Sequence, residues 1–379
     1  MKKVFYTISI AFLAFASCNN KTEPIIEYTY SEDTISGISH TNICGFYEDS
    51  SGIYCYFKPY KTDTVFLFKE NEQRHFVFDS CLKIPDFYKT FAQIDDISQI
   101  VFINKDSLIL FHPNNITLWD VKQDSLVAVY FHSDRDSLID LYDRNTPNLQ
   151  WNPHRRTLLL YLINNGDRAK RKWGHDTEYL AEFSFEKMDI SILPLKYPYS
   201  IYNDAALSVN FAPTGNDPKF AFNRDTVVIA FPIGQMMQIY DLKNDRTDSL
   251  AVKLRWYVPI SPPDTMRMRQ ISYPNYLMER HLENNFFYAL EYDRYNDVYY
   301  RFFHKALTKK NEMGLLNTSD DKIYGVTILD KRLKKMGDAT WQANRFGFYY
   351  PTSRGLYAIT STSDDKIKVI RKIELHYEK

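Results

Sequence analysis

The sequence predicts an all-β chain folded as a β-propeller of six blades. Three observations carry this: an aromatic-rich composition, a long succession of short strand-like runs, and a strand–turn–strand unit that recurs along the chain. Among 379 residues there are 29 Tyr and 26 Phe but only 12 Gly, and aromatic and β-branched side chains suit a pleated, half-buried surface. Hydrophobic residues make up 44% and charged residues 25%, the balance of a folded chain rather than a disordered one.

The runs come first. From about Ile25 onward, β-type segments alternate with Asn, Asp and Pro punctuation, among them Ile53–Phe57, Thr64–Phe68, Ser107–Phe111, Ile116–Trp119, Thr226–Ala230, Val298–Phe303 and Ile323–Leu329. Short runs bounded by turn residues read as strands. No amphipathic helix of three or more turns is expected, since segments such as Leu277–Asn284 are brief and follow a proline.

The repetition decides the architecture. Leu118-Trp119-Asp120-Val121-Lys122 and the following Asp124-Ser125-Leu126 are echoed by Ile239-Tyr240-Asp241-Leu242-Lys243 and Asp248-Ser249-Leu250. Each echo follows a second strand with its own entry turn, Asp106–Phe111 and Asp225–Ala230, and Asp63–Phe68 repeats that turn once more. The Asp after the aromatic is placed to accept hydrogen bonds from the tight turn that follows. Such a sheet cannot bury both faces alone, so blades must stack around a channel. Long loops such as Ser261–Asp264 and Lys309–Asn317 favour six blades, centred near residues 55, 110, 170, 235, 300 and 350. Closure is expected from an early strand, Ile25–Tyr30, pairing with the last blade. The competing architecture is a pair of stacked sandwiches.

The N-terminus gives an address. Lys2 and Lys3 precede an apolar run, Val4–Phe15, and then Phe15-Ala16-Ser17-Cys18. That order reads as a secretory signal peptide, and the apolar run falls short of the ~20 residues that span a bilayer. The cysteine after small residues makes it resemble a bacterial lipoprotein signal, which implies cleavage after residue 17 and lipidation of Cys18. Residues 18–24 then form a tether, and 25–379 the propeller. The implied location is the bacterial outer membrane, facing the periplasm or the cell surface, with the membrane as partner through the lipid.

A second resemblance rests on Phe287-Tyr288-Ala289-Leu290-Glu291-Tyr292-Asp293-Arg294-Tyr295-Asn296-Asp297-Val298-Tyr299-Tyr300-Arg301-Phe302, then Tyr324–Asp330 and Gly355-Leu356-Tyr357. These segments resemble the Bacteroides-group lipoproteins of the uncharacterised family "domain of unknown function 4221". The resemblance implies a TolB-like six-bladed propeller over most of the mature chain. It implies no known reaction, so no catalytic residue is carried over.

Composition excludes some functions and leaves others. Lys plus Arg and Asp plus Glu both number 47; loss of Lys2 and Lys3 leaves 45 against 47, about −2, without the basic footprint that nucleic-acid binding needs. No nucleophile elbow, phosphate-binding glycine loop or His-Glu-x-x-His is present. No cofactor is evident. The acidic cluster Asp134, Asp136, Asp140 and Asp143 has oxygen ligands for Ca²⁺ but lacks the glycine and terminal Glu of a calcium loop.

The remaining candidates are few. Setting Tyr47 opposite Gly52 in a hairpin would put Cys44 opposite Cys55, within reach of a disulfide; otherwise they are two small strand residues. Arg301 alternates with Tyr299 and Phe303 on one strand face, where it would stack on a ring, pair with a carboxylate between blades, or touch a ligand. Glu283-Asn284-Asn285 reads as a hairpin turn at the start of a blade, where a side chain is able to reach the central channel. Trp173 ends the one basic run, Arg168–Lys172, which reads as a solvated loop or, with Trp173 as an amphipathic anchor, as a contact for an anionic glycan, lipid headgroup or partner. Trp256-Tyr257 and Phe348–Tyr350 are core aromatics or sugar-stacking ones. The resulting expectation is an anchored binding or scaffold module for a protein or glycan, with a metal-dependent hydrolase or lactonase-like propeller enzyme as the alternative.

Overall fold

The computed structural model describes residues 24–86, 97–112, 115–131, 149–161, 178–196, 218–258, 265–318, 321–342, 348–361 and 366–377. These residues form six four-stranded antiparallel sheets, the blades of a six-bladed β-propeller. Blade I holds β2 (Thr41–Asp49), β3 (Gly52–Pro59), β4 (Thr64–Glu70) and β5 (Phe76–Lys83). Blade II holds β6 (Gln99–Asn104), β7 (Ser107–His112), β8 (Asn115–Asp120) and β9 (Ser125–Phe131). Blade III holds β10 (Leu149–Asn152), β11 (Thr157–Tyr161), β12 (Leu180–Ser184) and β13 (Asp189–Ile192). Blade IV holds β14 (Lys219–Asn223), β15 (Thr226–Ala230), β16 (Met236–Asp241) and β17 (Arg246–Ala251). Blade V holds β18 (Phe286–Asp293), β19 (Val298–His304), β20 (Ile323–Asp330) and β21 (Lys335–Gln342). Blade VI holds β22 (Tyr349–Thr352), β23 (Gly355–Ser361) and β24 (Ile367–His376), and takes its outer strand, β1 (Glu27–Ser36), from the N-terminal end of the propeller. The ring closes as expected: β1 runs antiparallel to β24 from Glu27↔His376 to Ser36↔Ile367.

First strands of neighbouring blades approach one another around the axis, β2 with β6 and β22, and β18 with β14 and β22. The apolar side chains that alternate along them enter the seams between blades. Six buried clusters result, one per seam. Leu108, Leu110 and Trp119 of blade II meet Val65 and Leu67 of blade I, and Tyr349, Leu356 and Ile373 of blade VI meet Tyr300, Phe302 and Val326 of blade V. The core is therefore a wheel of seams rather than one central mass.

The Asp turns form as the repeats imply. Asp120 Oδ1 accepts from Gln123 N at 2.9 Å, and Asp241 Oδ1 from Lys243 N and Asn244 N at 2.9 and 3.1 Å. Four residues after each, the chain turns left-handed, at Asp124 (φ 47°) and Asp245 (φ 52°), residues that tolerate that region. Asp293 repeats the motif in blade V, with Asp297 at φ 56°. The Asp63–Phe68 echo, by contrast, opens the third strand of its blade and not the second.

Two further differences from expectation have local causes. Asp49 Oδ1 accepts from Ser51 N at 2.8 Å, which tightens the β2–β3 turn and sets Asp49 opposite Gly52. Cys55 then faces Phe46, and Cys44 faces Phe57. The register lies two residues from the disulfide register, and both thiols are free. Around the proline-bearing segment the chain forms helices α1 (Thr265–Gln270) and α2 (Tyr273–Glu283). The proline sits in the first turn of α2, where it is pre-set for a helix instead of breaking one.

Asp293 tests the turn motif. It is 1% exposed and accepts from Tyr295 N (2.8 Å), Asn296 N (3.1 Å) and Tyr300 OH (2.9 Å). Asp293→Ala takes the carboxylate acceptor from the buried Tyr300 hydroxyl and from two partly buried turn amides, and is expected to cost about 2–3 kcal/mol. Asp120→Ala, at a partly exposed turn, should cost about 1 kcal/mol. Denaturant unfolding of the two variants gives the comparison.

Candidate functional site

The strand directions give the ring two unlike faces. On one, every connection is a tight turn: those after β2, β6, β10, β14, β18 and β22, and those between the third and fourth strands. The other carries the strand ends that the long connections join, those bounding 132–148, 162–179, 193–218, 252–285 and 305–322. Because β1 pairs antiparallel with β24, Glu27 lies at the tight-turn face. Pro24 and Ile26 are tied to the outer strand of blade V, where Ile26 N donates to Asp338 O at 2.9 Å.

Three side chains stand on the innermost strands of blades V, VI and I, around the ring axis. Glu291 stands on β18, Tyr350 on β22 and Cys44 on β2. Protein encloses each of them, yet each keeps accessible surface, as residues lining an internal channel do. The Tyr350 phenol lies within electrostatic reach of both Cys44 and Glu291. Burial pushes the Cys44 thiol up to about 11, against a smaller opposing pull from Lys368. Burial alone pushes the Glu291 carboxyl up to about 8. Among the described residues no hydrogen bond or ion pair engages Glu291.

On the tight-turn face, beside Tyr350, lies a cavity of about 140 Å³ whose lining includes Phe46, Tyr47, Glu48, Tyr292, Arg294 and Tyr295. Arg294 reaches from blade V to blade I, donating to Glu48 O at 3.3 Å, and its guanidinium stands 4.9 Å over the Tyr295 ring. Ser353 N of blade VI donates to Glu48 Oε2 at 2.8 Å. This cavity's lining thus couples three blades through one glutamate and one cation on an aromatic ring.

A neighbouring cleft of about 420 Å³ runs along the seam of blades I and VI, with Glu70 on its wall. Glu70 is 7% exposed. It accepts from Tyr357 OH at 2.7 Å and Arg354 at 3.1 Å, with Lys372 at 3.6 Å and Arg74 at 3.8 Å. This set is a seam lock, since each of its groups is committed to another.

On the long-loop face, Lys322 Nζ donates to the carbonyls of His281 and Asn284 at the end of α2, where a cation meets the helix dipole favourably. Desolvation still lowers its pKa to about 7. Glu279 ties α2 to α1 and to the 305–322 connection through Arg267 (2.6 Å) and Lys309 (3.0 Å). Those bonds, Arg267 first, hold its carboxyl down to about 2.

The candidates from sequence fall as follows. Cys18, Trp173, Arg168–Lys172 and Asp134, Asp136, Asp140 and Asp143 lie outside the described residues. Glu283 is the exposed last residue of α2, so the segment is a helix end and not a hairpin turn aimed at the channel. Its neighbour Asn285 is spent structurally, donating to Val258 O and accepting from Ala306 N. Arg301 is 0% exposed; its guanidinium lies 3.4 Å from the Phe287 ring centroid and donates to Gly234 O at 3.0 Å. The structure places it in the seam of blades IV and V, stacked and sealed from any ligand. The expected alternation holds, with Tyr299 and Phe303 in that seam and Tyr300 and Phe302 in the next. Trp256 and Tyr257 pack against Phe287 and Phe303, whereas Tyr350 reaches the channel. Among the described residues no three His, Cys, Asp or Glu side chains converge as a metal site.

Glu291 escaped the sequence reading. The one signal was an acid between Leu290 and Tyr292 in an otherwise apolar strand, and alternation alone does not distinguish a seam from a channel.

The fold and site together define a six-bladed β-propeller with a narrow, acid-bearing axis and the strand ends joined by its long connections on one face. No protein-family model and no curated protein matches the chain in sequence. The fold is similar to the crystal structure of a member of the duf4221 family from Bacteroides vulgatus, with TM-score 0.65 and 12% identity over 94% of this chain and 100% of that one. The family whose sequence features this chain resembles thus has a structure of the same fold. The chain is also similar to a protein of Bacteroides fragilis NCTC 9343 named as exported, with TM-score 0.50 and 8% identity over 94% of this chain and 97% of that one.

Glu291 also makes a pH test. Its folded pKa of about 8 stands above its ordinary 4.5, so between those values the folded state keeps a proton that the unfolded chain has lost. Stability from this group is therefore full below about pH 4.5 and falls away as pH rises through 8. Glu291→Gln should match the parent at pH 5 and exceed it by about 1–3 kcal/mol at pH 8.5. Thermal melts at the two pH values measure this.

Proposed function

We propose that the protein is a membrane-anchored exported lipoprotein, held by a lipid on Cys18, that acts as a binding or scaffold module for a protein or glycan partner. The observation that carries the reading is the polarity of the ring. β1 begins at the tight-turn face, and the strand ends joined by the long connections lie on the opposite one. An anchor at Cys18, seven residues from Pro24 inclusive, keeps the entry side within about 25 Å of the bilayer. The loop face is then turned toward whatever the compartment offers, and loops on a rigid scaffold are the usual place for recognition. The similar Bacteroides fragilis protein named as exported supports the address, and the signal-like residues 1–18 supply its means.

Two measurements test this in the native host. The parent chain should fractionate with outer membranes and take up labelled fatty acid, and Cys18→Ser should abolish both; a parent found soluble and unlabelled overturns the anchor. A photo-crosslinking residue at Met313, exposed on the loop face, should give a discrete adduct with a protein or glycan. The same residue at Lys122, on the tight-turn face, should not. Adducts from Lys122 alone would reverse the orientation.

A further inference from the structure

The channel holds a group that nothing else in the fold explains. Glu291 is a carboxyl enclosed by three blades, without a hydrogen bond or ion pair among the described residues, and no positive group contributes to its environment. Buried carboxylates ordinarily have a cation or several donors beside them. The Tyr350 phenol lies within electrostatic reach of this carboxyl and of the Cys44 thiol, and all three keep accessible surface. Lys368 bears on Cys44, and Tyr56 lies behind Tyr350 with its hydroxyl already donated to Ile100 O at 2.8 Å. The approach from the tight-turn face is walled by Phe46, Tyr47, Tyr292 and Tyr295. There the chain shows what such walls accept: the Arg294 guanidinium on the Tyr295 ring, hydrogen-bonded to Glu48 O. Aromatic faces and a desolvated carboxylate together attract organic cations.

We propose that the axial channel is a binding site for a small organic ammonium ion, with Glu291 as its counter-ion, Tyr350 as its wall and the Tyr47–Tyr295 mouth as its entrance. The mouth cavity, about 140 Å³, suits a cation of a few heavy atoms and excludes a peptide or an oligosaccharide. The Arg294–Glu48 bridge spans that entrance and must yield for a ligand to pass. This site is independent of the partner surface on the loop face.

Cys44 serves as the reporter, because its thiol keeps accessible surface and bears on the Tyr350 phenol of the proposed site. In the mature chain carrying Cys18→Ser and Cys81→Ser, with Cys55 buried, Cys44 is the thiol open to small reagents. At pH 9 a trimethylammonium-bearing methanethiosulfonate should modify Cys44 at least about tenfold faster than its sulfonate counterpart, the scale on which a charged cleft alters encounter rates. Millimolar tetramethylammonium should slow both reactions, whereas an equal concentration of sodium should not. Glu291→Gln should erase the charge preference and the protection, and Arg294→Ala should speed labelling while leaving the preference intact. Equal rates for the two reagents, faster labelling by the anion, or no protection by tetramethylammonium in the parent would overturn the proposal, and none of these depends on how the Gln variant folds.

Discussion

The ladder between β1 and β24 closes the ring, and the other seams depend on it. It joins segments from the two ends of the described chain in ten consecutive pairs, Glu27↔His376 to Ser36↔Ile367. Bringing such distant segments together costs loop-closure entropy before any contact repays it. The repayment comes from the adjoining seam, where Phe46, Phe57 and Phe76 of blade I meet Tyr357 and Ile370 of blade VI. Glu70 reinforces that seam with Tyr357, Arg354 and Lys372. A buried ion cluster adds little net stability relative to an apolar core, but it is costly to break. Its use here is geometric. Side-chain packing tolerates a slide of one blade past the next, whereas one carboxylate shared by a tyrosine and several cations fixes their height.

A wheel of seams also explains where the polar groups go. Each inner strand sends alternate side chains into the seams on either side, and only a few positions face the axis. Arg301 belongs to a seam, and its charge is spread over Phe287 and two carbonyls of blade IV, Phe231 and Gly234. Desolvation lowers its pKa to about 9, a measure of how much the packing around it costs. Glu291 sits three positions beyond the bulge at Tyr288. A bulge shifts the alternation by one, and the residues after it swap the sides they would otherwise take. The bulged register in blade V thus helps set which side of the strand Glu291 takes.

Much of this architecture was legible in the chain because turns are local. The Asp that follows an aromatic and caps its own turn is a chemical device spelled out within five residues, and it marked blades II and IV without any knowledge of the rest. Closure by an early strand followed from the same logic, since a ring of stacked sheets leaves one blade to be completed. The Cys44–Cys55 register was less visible. Shifting a strand pair by two residues keeps every side chain on its face, so hydrophobic pattern cannot separate the two registers. Asp49 chose between them by gripping Ser51. The helix α2 was obscured by a proline that reads as a breaker in isolation and as a first-turn residue in context. Asp63 misled for a related reason: an Asp-Thr entry suits the second or third strand equally well.

The channel was the least legible part, because it is assembled by blades distant in sequence. Glu291, Tyr350 and Cys44 are separated by whole blades, and none belongs to a spaced motif. Their meeting is a product of ring closure, so the arrangement at the axis and the start of the propeller are consequences of the same strand. β1 sets the entry face and, by completing blade VI, holds β22 and its Tyr350 against β2 and β18. A change that weakens β1 therefore acts on two places at once, loosening the hold of Pro24 and Ile26 on Asp338 and opening the space around Glu291. An acid whose desolvation depends on closure regains water as soon as blade VI slips. Its proton affinity then falls toward that of an ordinary carboxyl, so the state of Glu291 reports whether the ring is shut.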